Sequence, residues 1–153
     1  MTLLFAFLIG VLAGLRSFTA PAVTAWAAHL GWLKLQRPLA LIGSLPAVII
    51  LTLFALGELV ADKLPKTPSR TAPVGLIARL VTGSLSGACL AAAGGAAAWV
   101  GAVLGAAGSL VGCFGGYQVR TRLVKALGTP DYVIALLEDL VAIGGSLWIV
   151  SLF

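Results

Sequence analysis

Six ionisable residues fall inside or at the edge of long apolar stretches: Arg16, Glu58, Asp62, Arg79, Glu138 and Asp139. Glu58 and Asp62 are four residues apart, a spacing that puts both carboxylates on one helix face. Arginine cannot shed its charge, and at the centre of a membrane helix it costs about 2.5–3.5 kcal/mol on insertion scales. Such a group must meet an acid, carbonyls, water or a bound anion. The chemistry on offer is therefore ionic. Arg16 would hold an anionic group, Glu58 or Glu138 would exchange a proton or cation, and Ser17 and Thr19 would hydrogen-bond freed backbone. Glu58 and Glu138 are the expected partners of Arg16, each being the innermost carboxylate of its stretch. The same ions also read as a structural network that ties helices together.

No nucleophile elbow, phosphate loop or dinucleotide fingerprint occurs, so no catalytic residue is assigned. The single histidine, His29, has no cysteine or carboxylate at ligand spacing, so neither a metal site nor a cofactor is expected. Cys89 and Cys113 lie mid-stretch and read as small buried residues rather than a disulfide framework.

The elements that carry these residues are membrane helices. The chain is 60% hydrophobic and 10% charged, against about 25% charged in soluble domains. The formal charge of +5 does not indicate nucleic acid, because the cations sit in short segments between apolar stretches, where topology signals belong. The expected fold is all-α: one transmembrane domain over residues 1–153, with about five spans at residues 2–30, 38–60, 73–93, 99–124 and 131–152. The first is too long to cross straight and must be tilted, broken or a re-entrant pair. A break or kink is expected over Arg16–Pro21, and Pro46 should kink the second. Small residues at Gly101, Gly105, Gly108, Gly112 and Gly116 predict close helix approach in the fourth.

Cations at Lys63, Lys66, Arg70, Arg120, Arg122 and Lys125 outnumber Lys34 and Arg37 on the other side of a five-span chain. By the positive-inside rule this predicts an inner-membrane protein with its N-terminus cytoplasmic and its C-terminus outside. Trp26, Trp32, Trp99 and Trp148 should then gather at the outer interface. Two short matches, Gly10–Gly14 with Gly108–Gly112 and Ala55–Glu58 with Ala135–Glu138, predict an inverted repeat of spans one and two with spans four and five.

Several of these residues carry a resemblance. Ala13-Gly14-Leu15-Arg16, the stretch from Glu58 to Pro65 (Glu-Leu-Val-Ala-Asp-Lys-Leu-Pro), Arg79, and Leu137-Glu138-Asp139 resemble the bacterial integral-membrane family called domain of unknown function 4126. The resemblance covers almost the whole chain and implies a membrane protein without an assigned role. Two readings of function follow. One is a transporter or channel-like protein for a small anionic solute or ion, with Arg16, Ser17, Thr19, Glu58, Asp62, Arg79, Glu138 and Asp139 lining the pathway. The other is a scaffold or a lipid- or partner-binding subunit, in contact with the bilayer and able to form a homo-oligomer.

Overall fold

The computed structural model describes residues 1–62, 72–128 and 130–153. The expected Lys63–Arg70 loop and Thr129 lie outside the described residues. Within them the chain forms six α-helices and no strand: α1 Thr2–Leu15, α2 Thr19–His29, α3 Leu45–Ala61, α4 Pro73–Ala93, α5 Ala98–Leu127 and α6 Asp131–Val150. A 3-10 turn over Leu39–Gly43 precedes α3. Among the described residues, α4, α5 and α6 are each long and apolar enough to cross a membrane.

Proline decides where several helices begin. It lacks an N–H, and the first four N–H groups of a helix have no partner within it. Pro73 opens α4, Pro46 lies in the first turn of α3, and Pro21 is the third residue of α2. Pro46 therefore starts a helix instead of kinking one, and the second apolar helix begins at Leu45, not at residue 38. Pro21 has the same effect on the first stretch. In one continuous helix it would remove a bond and clash with the preceding turn. Instead α1 stops at Leu15, Arg16 adopts extended backbone (φ −139°, ψ 119°), and α2 starts at Thr19.

The direction of α2 decides between a kinked crossing and a re-entrant pair. Along α1, Gly10 abuts Gly105 and Gly14 abuts Gly112 and Cys113, so α1 and α5 run parallel. Phe5 meets Trp148 (6.4 Å between ring centroids) and Leu12 meets Gly145, so α6 runs antiparallel to α1. From the break, α2 turns back. Phe18 packs on Phe54, Trp26 Nε1 donates to Thr52 Oγ1 at 3.0 Å, and Ala28 abuts Gly43. Gly31, Trp32 and Lys34 then share a cavity of about 320 Å³ with Val150, Ser151 and Phe153. Phe153 in turn packs on Phe5, at 6.0 Å. The start of α1 and the end of α2 thus lie at one end of the bundle. The stretch 2–30 is a helical hairpin with its tip at residues 16–18, not a single kinked crossing.

Two further expectations change with it. The termini lie at the same end, as the Phe5–Phe153 contact requires, so an N-terminus inside with a C-terminus outside does not fit. The inverted repeat also fails. Its pairs are α1 with α5, which are parallel, and α3 with α6, which run in opposite directions, and no single operation relates both pairs. Trp32, Trp99 and Trp148 do gather at the end that bears the termini.

The bundle has a largely apolar core, and it also buries polar side chains while leaving large apolar ones on its outer surface. Arg16, Thr24, Ser86, Ser109 and Ser146 are buried, whereas Leu53, Val60, Val81 and Leu140 are more than half exposed. Glycines let α1, α4 and α5 touch backbone to backbone. A Cβ on Gly108 would lie 2.9 Å from Val11 N, and one on Gly105 3.1 Å from Gly87 Cα. Cys89 and Cys113 form no disulfide among the described residues and are buried in this packing.

Candidate functional site

The hairpin brings two helix ends to one place. The carboxyl end of α1 carries unpaired carbonyls and partial negative charge, and the amino end of α2 carries unpaired N–H groups and partial positive charge. Each is met by a side chain of opposite sign. Glu58, on α3, accepts the Ser17 N–H at Oε1 (2.8 Å) and the Phe18 N–H at Oε2 (2.9 Å). Arg79, on α4, donates from Nε to the Gly14 carbonyl (3.0 Å), and its Nη2 lies 3.9 Å from Glu58 Oε1.

Arg16 fills the tip and is 1% exposed. Its Nη1 donates to the Glu58 backbone carbonyl at 3.2 Å. Its Nη2 pairs with Asp62 at 3.2 Å and also with Asp139. The expected partners, the carboxylates of Glu58 and Glu138, are thus replaced by Asp62 and Asp139. The reason is helical geometry. Neighbouring residues on a helix point about 100° apart, so when Asp139 faces Arg16 its neighbour Glu138 faces elsewhere. The Glu58 carboxylate is already engaged by the two amides.

Glu138 meets Arg120, a residue expected to act as a topology signal. Arg120 Nη1 lies 3.4 Å from both Glu138 and Asp62, while its Nε and Nη2 fork onto Asp131 at 2.8 and 2.5 Å. Asp131 was not anticipated at all. A signal for Arg120 did exist: it follows Gly108, Gly112 and Gly116 at steps of four, on the helix face that packs against α1. Asp62 Oδ2 bridges Arg16 and Arg120. All five acidic residues of the chain therefore pair with three arginines in one network. Exposure grades along it, from 1% at the Arg16 side chain to 62% at Asp131.

Ser17 and Thr19 are both at the tip and buried, but only Ser17 takes part in the network, through its backbone. Thr19 Oγ1 and Arg16 Nε have no hydrogen-bond partner among the described residues. Desolvated polar atoms of this kind cost free energy unless something meets them.

Comparison with known proteins gives a family and no relative. A search of curated proteins and of solved structures found no match. The family described as domain of unknown function (DUF4126) matches residues 3–152. That span takes in the hairpin, the three arginines and the five carboxylates, and the chain belongs to this family.

Proposed function

We propose that the protein is a multi-pass inner-membrane protein, a single transmembrane unit, that binds a small anionic solute or ion at the hairpin tip and passes it across the bilayer. The observation that carries this reading is Arg16, a permanent cation buried where two half-helices end inside the protein. Interrupted helices in a membrane need a protein or aqueous lining, and paired half-helix ends are a recurrent way to build a solute site near the midplane. The apolar outer surface supports contact with lipid. The positive-inside rule places the end bearing Arg122 and Lys125 in the cytoplasm. Both termini and the mouth of the hairpin then face outward, and the network opens through Asp131 to the cytoplasmic side.

The test is flux into liposomes containing the purified protein, screened over inorganic anions and small organic acids. Flux of one class, lost in Arg16→Gln protein that still folds, is the expected result. No flux of any class from folded protein would remove transport. A second reading has its own support: every acidic residue pairs with an arginine, as in a rigid scaffold or a lipid- or partner-binding subunit. It predicts folded, flux-silent protein.

A further inference from the structure

We propose that the break between α1 and α2 is a binding site for a small planar oxyanion with two acceptor oxygens, such as formate, acetate or hydrogencarbonate, and that the Glu58 carboxylate is its tethered occupant. The inference rests on the reading of the hairpin tip as a solute site and names the ligand class.

Glu58 shows what the site is shaped to hold. Its two oxygens are taken separately, one by the Ser17 N–H and one by the Phe18 N–H, at 2.8 and 2.9 Å. A free carboxylate can reproduce this arrangement, one oxygen to each amide. The charge is right as well, since the amino end of α2 and the guanidinium of Arg79 both favour an anion at this position. Arg79 stands 3.9 Å from Glu58 Oε1, an ion-pair separation rather than a hydrogen bond.

A helix cap alone would leave nothing else to explain. Here two further donors bracket the amides in sequence, Arg16 Nε on one side and Thr19 Oγ1 on the other. Their side chains are 1% and 4% exposed, and neither atom is met by any described residue. Glu58 reaches the two amides from another helix and does not serve these two donors. A free oxyanion is unrestrained by the α3 backbone and has these two donors left open to it. Exchange then consists of Glu58 swinging off the two amides as the free anion takes its place.

Formate is the probe, because its single C–H proton reports binding by saturation-transfer NMR. Wild-type protein and Glu58→Ala are titrated in detergent, with chloride at matched ionic strength as the control. Saturable transfer is expected in both, about tenfold or more tighter in Glu58→Ala because an intramolecular competitor has gone. Adding Thr19→Val to Glu58→Ala should weaken formate several-fold. Transfer in the variant alone would make Glu58 a fixed cap and overturn the exchange. No saturable transfer in either would overturn the site. Should Glu58→Ala fail to fold, Glu58→Gln keeps the shape with one acceptor oxygen and is expected to bind formate more tightly than wild type; equal binding would overturn the exchange. If neither variant folds, the wild-type titration decides the exchange: saturable transfer is expected, and its absence overturns it. Since no gradient is involved, formate binding without flux removes transport and keeps the site, and flux without formate binding does the reverse.

Discussion

Arg16 and Asp139 pair in the protein interior, and this contact joins the tip of the hairpin to the last helix of the chain. Asp62 shares the same guanidinium nitrogen and also touches Arg120, so the tip is held from α3, α5 and α6 together. The arrangement makes charge at the tip a property of the whole bundle.

Arg16→Ala removes the buried guanidinium that pairs with Asp139 and Asp62. A broken buried pair costs about 3–5 kcal/mol, and thermal denaturation in detergent should show a loss of that order. Replacing both residues, as Arg16→Met with Asp139→Asn, should cost less than Arg16→Ala alone, because Asp62 keeps Arg120. A double variant as unstable as the single one would mean that the pair is not the source of the loss. Arg16→Lys should rescue only partly, since an ammonium cannot fork between Asp62, Asp139 and the Glu58 carbonyl as guanidinium does.

Asp131 offers the opposite case. Its side chain is 62% exposed, so its fork with Arg120 is screened by water and salt. Asp131→Asn should cost less than about 1 kcal/mol, with the difference from wild type shrinking as salt is added. A loss as large as that of Asp139→Asn would show that the outer end of the network is as dry as the inner end.

Two glycines of α5 separate packing from propensity. A Cβ at Gly108 would press on the backbone of α1, 2.9 Å from Val11 N, while one at Gly115 meets nothing within 4 Å. Overpacking typically costs about 1–3 kcal/mol, and backbone yields less than a side-chain tip, so Gly108→Ala should fall at the upper end and Gly108→Leu should prevent folding. Gly115→Ala should be neutral or slightly stabilising, because alanine is the better helix former. Equal effects at the two positions would refute backbone contact between α1 and α5.

The hairpin makes a topological prediction. Reporters fused to the N-terminus and to the C-terminus should give the same answer, active on the outer side and silent in the cytoplasm. Opposite answers at the two ends would mean that residues 2–29 cross the membrane once, against the Phe5–Phe153 contact.

Helix type and extent were legible where one apolar stretch makes one helix. The expected 73–93 coincides with α4, and 131–152 differs from α6 only at its last turn. The charged residues that matter were legible because charge within apolar sequence is costly. The break at Arg16 was legible from Pro21, but the choice between a kink and a fold-back was not. A proline says where a helix stops and leaves the next direction to tertiary contacts, here Phe18 with Phe54 and Trp26 with Thr52. That one reversal changes the parity of the crossings, and the expected orientation of the C-terminus and the inverted repeat went with it. Partner choice failed for a similar reason: depth along a span suggested Glu58 and Glu138 for Arg16, while the rotation of each helix about its axis decides which carboxylate arrives.

The order of the contacts along the chain bears on biogenesis. Synthesis runs from the N-terminus, so α1 and α2 leave the ribosome before any element that holds them. Glu58, which caps α2, follows with α3; Arg79 comes with α4; Asp139 arrives only with α6. Until then Arg16 has no complete set of partners and no favourable place in hydrocarbon. The first segment made is therefore the last whose partners are complete. Translation that stalls before residue 139 should leave an unseated hairpin, a form for quality-control proteases to recognise.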